Sequence, residues 1–293
     1  MSDSILDIQN LSLSFQGLTE TVDVLDNINL SISCGERVAL VGESGSGKSV
    51  IARIILGLLQ SQKGAIVKGS VRFRGIELEA ATGNQIESLR GREISMIFQD
   101  PTSSMNPVYK IGTIFHEILN RGTHNISKKL ALIKASKLLE EVSITEFKRV
   151  LESYPFQLSG GMNQRVMIAL ALANKPALLI ADEPGTALDV TVQAQTLKLM
   201  HNLVKKNNTA VLFISHNLGV VRQFADRVYV IYKGRIVESG STSSIFENTK
   251  HPYTKALMNA VPKITSKSFF DASDDSSLFK QPAFHHKDRE IGQ

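Results

Sequence analysis

Gly42-Glu43-Ser44-Gly45-Ser46-Gly47-Lys48-Ser49 decides the fold of this chain. The run fits the phosphate-loop pattern G-x-x-x-x-G-K-[ST] at every position. Its flanks have the right character. Arg37-Val38-Ala39-Leu40-Val41 ahead of it reads as a short buried strand, and residues 50–57 behind it read as a helix with an apolar face. Strand, glycine loop and helix together separate a phosphate loop from chance glycines. The glycines permit positive φ and bring the backbone close to phosphate oxygens. The loop N–H groups, backed by the helix N-terminus, form a cradle of positive dipoles. Lys48 is placed to reach the β- and γ-phosphates of a nucleotide, and the Ser49 hydroxyl to ligate Mg²⁺. The bland alternative is a glycine-rich turn that binds nothing, and the flanks weigh against it.

Upstream of the loop, residues 5–15 and 22–32 alternate approximately, which predicts half-buried antiparallel strands. Cys34-Gly35-Glu36 turns the chain into the loop's strand. Downstream, residues 70–74 and 94–98 read as further strands. The character then changes. Residues 111–119 and 127–142 carry apolar side chains at helical spacing, among them Leu130, Ile133, Leu138, Leu139 and Val142. They predict a helical insert over about 100–165. Beyond Gly161 come an alanine-rich helix, an apolar strand at 177–181, a helix at 191–207 and a strand at 209–215. A closing hairpin follows around Lys233-Gly234. Strands alternating with helices indicate an α/β fold with a mainly parallel sheet. The pattern is lost from about residue 249, and the polar stretch at 271–277 reads as mobile.

The 293 residues, 42% hydrophobic and 21% charged, suit one large domain with subdomains, or two domains. The net charge of +5 is scattered and reads as solvated surface, so no nucleic-acid partner is expected. The one cysteine, Cys34, excludes an intramolecular disulfide and suits a reducing compartment. The first residues have neither a basic stretch nor a long apolar one, so they do not read as a signal peptide. The longest apolar run, residues 166–173, is well short of the ~20 needed to cross a bilayer. A soluble chain is expected, and any membrane span would come from another chain.

Two further stretches carry chemistry. In Leu178-Leu179-Ile180-Ala181-Asp182-Glu183 a buried strand delivers Asp182 to the Mg²⁺ region at its C-terminal end, where ligands bind in open α/β sheets. Glu183, next in the chain, can position and polarise an attacking water. In Leu158-Ser159-Gly160-Gly161-Met162 two glycines and a small hydroxyl open a helix, which makes a second anion site without a lysine. The plainer reading of Ser159 is an ordinary helix N-cap.

The loop, Gln99 after a strand, Leu158-Ser159-Gly160-Gly161, Asp182-Glu183 and His216 occur in this order, and together they resemble the ATP-binding cassette family, the motor subunits of ABC transporters. The resemblance covers nearly all of residues 1–245 and implies a P-loop NTPase core. To this it adds an N-terminal antiparallel β subdomain and an inserted helical signature subdomain. It implies that Gln99 touches Mg²⁺ and the attacking water, and that His216 contacts the γ-phosphate. It implies that Ala187-Leu188-Asp189 forms the D-loop, and that Phe15 stacks on adenine. Ser159, Gly160 and Gly161 would contact ATP held by a partner subunit, two chains sandwiching two nucleotides head to tail. Catalytic Glu183, His216 and Gln99 and metal-binding Ser49, Gln99 and Asp182 complete the set. Two positions depart from the commonest pattern: Met162 stands in place of glutamine and Gly185 in place of serine or threonine. Neither removes a catalytic side chain.

Gly42 to Gly47, Phe98-Gln99-Asp100-Pro101 with Met105-Asn106-Pro107, residues 187–195 and His251-Pro252-Tyr253-Thr254-Lys255-Ala256-Leu257 resemble the peptide and nickel importer branch. Read by itself, the last stretch is a proline turn and one short helical turn without chemistry. Some relatives hold an iron–sulfur cluster in this tail through cysteines; this tail has none, and no cluster is expected. The organisation read here is an ATPase domain at 1–248 and an extension with a polar tail at 249–293. The resemblance implies an ATPase for peptide uptake at the cytoplasmic face of the inner membrane. Its partners would be two membrane-spanning permeases, a second ATPase subunit (copy or paralogue) and, indirectly, a solute-binding protein. The alternatives are a nickel or metal-chelate importer of the same branch, a soluble non-transport ABC ATPase, and a degenerate module that binds nucleotide without turnover.

Overall fold

The computed structural model describes residues 4–17, 20–59, 62, 64–123, 125–186 and 189–259. The polar stretch at 271–277 lies outside them. Among the described residues ten strands form two sheets: β1 (Ser4–Gln16), β2 (Thr21–Ser33), β3 (Arg37–Val41), β4 (Ala65–Phe73), β5 (Ile76–Glu77), β6 (Ile94–Ile97), β7 (Leu178–Asp182), β8 (Ala210–Ile214), β9 (Arg227–Tyr232) and β10 (Arg235–Ser241). The first sheet is antiparallel, in the order β2-β1-β4-β5, and the second runs β10-β9-β3-β8-β7-β6. Within the second, β9, β3, β8, β7 and β6 are parallel, and β10 pairs antiparallel with β9.

Burial follows from this layering. All five residues of β7 and of β8 are buried, as expected for parallel strands covered on both faces. The strand period of two sorts their side chains between two cores. Val38, Leu40, Leu178, Ile180, Leu212 and Ile214 face the antiparallel sheet and the helix Lys48–Ile55. Ala39, Val41, Leu179, Ala181, Val211 and Phe213 face a helical layer, where Phe213 stacks on Phe224 with ring centroids 4.6 Å apart. One alternating strand thus joins the nucleotide loop to both halves of the molecule.

The helical segment between β6 and β7 comprises Pro101–Ser104, Ile111–Thr123, Lys128–Glu141, Phe147–Glu152 and Gly160–Leu172, with a short 3₁₀ turn at Pro155–Gln157. Its inward face differs in one helix from the sequence reading. Leu139 and Val142 are buried as expected, but Leu130 and Ile133 are exposed, and Lys128–Glu141 buries Ala131 and Ala135 instead. Small alanines let this helix approach Ile111–Thr123 closely, so its packed stripe is narrower than hydropathy alone suggests. β4 begins earlier than expected, at Ala65, because it pairs along β1 as far as Phe15. The C-terminal box forms the helix Pro252–Asn259, which is two turns long and not one.

Candidate nucleotide site

The carboxyl ends of β3, β6, β7 and β8 converge on one edge of the parallel sheet, where ligands bind in such folds. The loop after β3 forms the wall of a cavity of about 520 Å³. Ser44, Gly45, Gly47, Lys48 and Ser49 line it, and Gln99, Glu183 and His216 face them. Gly45 and Gly47 have φ +78° and +106°. Gly47 is also the N-cap of Lys48–Ile55, and no side chain caps that helix. The first-turn amides therefore lack a side-chain acceptor and point toward the cavity mouth. The Ser46 hydroxyl is buried without a hydrogen-bond partner among the described residues. An open left-handed loop and an uncapped helix are what a phosphate group would satisfy.

Lys48 is buried, and its ammonium donates to the carbonyls of Gly42 (2.9 Å) and Glu43 (2.8 Å). Burial lowers its pKa, and the carboxylates of Glu183, Asp182 and Glu43 pull it part of the way back. Asp182 ends β7 and is 9% exposed. Burial raises its carboxyl above the ordinary range, while a hydrogen bond from Ser49 and the Lys48 charge act against that. Among the described residues no group of three or more His, Cys, Asp or Glu side chains is placed to hold a metal ion. The Ser49–Asp182 pair supplies a hydroxyl and a carboxylate, hard oxygen donors that fit Mg²⁺ when phosphates and water complete its shell.

Glu183 is the hinge of the site. Its carboxylate accepts from Gln99 Nε2 at 3.2 Å through Oε2 and from His216 Nδ1 at 2.9 Å through Oε1. Three residues from three separate loops are thereby tied into one unit. The Glu183 backbone has φ +48°, left-handed for a side-chain-bearing residue. Its N–H donates to the Ile214 carbonyl at 2.8 Å, and its carbonyl accepts from the Thr186 hydroxyl at 2.8 Å. These bonds hold a conformation that costs about 1–3 kcal/mol, a type of strain that clusters at working sites. Neither the strain nor the twofold grip on the carboxylate could be read from the sequence.

Other expected residues lie elsewhere. Ser159 and Gly160 are exposed, and none of Ser159, Gly160 and Gly161 lines the Lys48 cavity. Ser159 caps the helix Gly160–Leu172, its hydroxyl accepting the Met162 N–H at 3.3 Å. Phe15, half-buried on β1 opposite Val22 and Ala65, does not line the cavity either; Val24 and Val50 supply its apolar wall. Only the strand alternation hinted at Val24. Ala187 and Leu188 of the expected D-loop lie outside the described residues, and Asp189 caps the helix Val190–Asn207.

Comparison with known proteins follows the same residues. The family described as ABC transporter matches residues 25–186, and the oligopeptide/dipeptide transporter C-terminal region matches residues 237–276. The oligopeptide transport ATP-binding protein AppD of Bacillus subtilis (strain 168) is 47% identical, over 89% of this chain and 79% of that protein. The probable D,D-dipeptide transport ATP-binding protein DdpD of Escherichia coli (strain K12) is 46% identical, over 90% and 80%. Among solved structures, a dimeric post-hydrolysis state of the ATP-binding cassette MJ0796 with ADP and phosphate superposes with a TM-score of 0.70. It is 26% identical and covers 81% of this chain and 98% of the other.

Proposed function

Because the chain belongs to the ABC transporter family, as an ATP-binding subunit, we propose that it is the ATP-hydrolysing motor of an importer that carries peptides across the inner membrane. The observation that carries the chemistry is the grip on Glu183. Gln99 and His216 engage both of its oxygens across the cavity from Lys48. Lys48 binds the β- and γ-phosphates, exchanging its bonds to the Gly42 and Glu43 carbonyls for phosphate oxygens. The amides of the loop from Gly42 to Ser49 hold the remaining oxygens. Ser49 and Asp182 would hold Mg²⁺, which would supply charge neutralisation for the phosphates. Glu183 receives the proton of the attacking water, and Gln99 and His216 keep its carboxylate aimed at that water. Phe15 and Val24 form the base side of the site.

The ATPase domain spans 1–248, with 249–293 as an extension. The chain dimerises head to tail with a copy or a paralogue, and Ser159, Gly160 and Gly161 close the partner's site. It sits on the cytoplasmic face against two permeases fed by a solute-binding protein. Support comes from the relatives' names, from the match at 237–276, and from the described residues, none of whose helices is long and apolar enough to cross a membrane. The test is reconstitution of the chain with two candidate permeases and a second ATPase subunit. Peptide-dependent phosphate release and uptake are expected. Uptake of nickel or a metal chelate with peptide inert would replace the cargo, and phosphate release indifferent to permeases would remove transport from the reading.

A further inference from the structure

The helix Pro252–Asn259 lies far along the chain from the nucleotide loop, yet it touches that loop. The Tyr253 hydroxyl accepts the Glu43 N–H at 3.0 Å. The carbonyl of the same residue accepts the Lys48 ammonium at 2.8 Å and the Ser46 N–H at 3.2 Å. Glu43 is thus gripped from outside through its N–H and from within the loop through its C=O.

The tyrosine is itself fixed. Its ring stacks on Tyr232 of β9 with centroids 4.2 Å apart and planes 29° from parallel. At the start of its helix, Glu238 of β10 accepts the N–H groups of Lys250 (2.7 Å) and His251 (3.2 Å). The Tyr253 N–H donates to His251 Nδ1 at 3.2 Å. A strand of the main sheet and a carboxylate on its neighbour therefore aim one hydroxyl at one amide. Between the closely packed Gly42 and Gly47 the loop is open at Gly45, where a Cβ would meet nothing within 4 Å, and the Tyr253 contact lies on that stretch.

We propose that Tyr253 is a positioning residue of the nucleotide site, through which the C-terminal segment holds the phosphate loop in its binding shape. The inference rests on the nucleotide reading above. A loop ordered in advance loses less freedom when phosphate binds, so the contact favours affinity over turnover. Tyr253→Phe removes the hydroxyl and keeps the ring stack. One neutral hydrogen bond is worth about 0.5–1.5 kcal/mol, which corresponds to roughly two- to tenfold weaker binding.

The experiment is equilibrium titration of the full chain with Mg²⁺-ATP, with Tm measured alongside, and with KM and kcat of the assembled complex. Tyr253→Phe should weaken binding and raise KM by the same factor, with kcat and Tm near wild type. Tyr253→Leu, which also loses the stack, should weaken binding at least as far. Wild-type affinity in Tyr253→Phe overturns the inference, as does a loss of affinity that appears only together with a lower Tm. A wild-type chain that fails to bind Mg²⁺-ATP would instead overturn the nucleotide reading, so the two failures are distinguishable.

Discussion

Residue by residue, the site separates holding from reacting. Lys48 is a buried cation whose partners in this structure are two carbonyls of its own loop. Those bonds engage two of the three ammonium donors. Lys48→Ala removes a charge from a cleft where screening is weak. Charge-assisted hydrogen bonds are worth about 1.5–3 kcal/mol, so affinity for Mg²⁺-ATP should fall by roughly tenfold or more in an equilibrium titration. Unchanged affinity would mean that this loop does not bind the nucleotide. In the proposed function Glu183 acts at the later step. Glu183→Gln keeps the size of the side chain but loses its basicity. Phosphate release should fall by about 10²–10⁴-fold, the usual contribution of a general base, while ATP still binds. Hydrolysis at the wild-type rate in this variant would remove Glu183 from the role of base.

At the level of elements, the loop works because a strand of the other sheet supports it. A Cβ at Gly47 would lie 2.5 Å from Leu25 Cδ2, and φ there is +106°. Leu25 belongs to β2 and is 2% exposed, so it has little room to yield. Gly47→Ala therefore combines backbone strain with overpacking, together about 2–4 kcal/mol. At Gly45 a methyl meets open space and only the strain at φ +78° is felt, about 1–2 kcal/mol. Thermal unfolding should show the larger drop in Tm for Gly47→Ala; equal drops would mean that the Leu25 contact does not constrain the loop. The helix Gly160–Leu172 has a different economy. Its start is capped by Ser159, and its body is buried almost all round, from Asn163 to Leu172 apart from Arg165. A helix so enclosed is fixed in place, with its exposed N-terminus presented outward.

For the whole molecule, the exposed Ser159 and Gly160 stand apart from the cavity of the same chain. The head-to-tail reading gives them a partner's nucleotide to meet. Ser159→Arg should then leave the ATP affinity of the isolated subunit near wild type, since Lys48 and its loop are untouched. Losing the N-cap costs about 1 kcal/mol of stability, which is a separate and smaller effect. Phosphate release from the assembled complex should fall, because a bulky arginine blocks close approach at the helix N-terminus. If affinity falls in the isolated subunit, the signature helix serves its own chain's nucleotide and the head-to-tail arrangement is wrong. In the Glu183→Gln chain, ATP should produce long-lived dimers visible by size-exclusion chromatography, and adding Ser159→Arg should abolish them.

The sequence by itself determined the elements whose signals are local. A loop with three glycines and a lysine between strand and helix, and apolar runs long enough for buried parallel strands, are written in adjacent residues. Asp182-Glu183 at the end of an apolar strand was equally legible, and Gln99 and His216 were legible through the resemblance that the order of the motifs carries. Tertiary structure alone decided the contacts between residues distant in the chain. It buried Ala131 and Ala135 where hydropathy favoured Leu130 and Ile133, since close helix approach selects for size as well as polarity. It put Val24 on the cavity wall, a position that no motif in the sequence marks. It joined Glu183 to Gln99 and His216, and it brought Tyr253 from the end of the described chain onto Glu43. Such pairings leave no periodic trace, because a single side chain meeting a single backbone amide depends on how every intervening element packs.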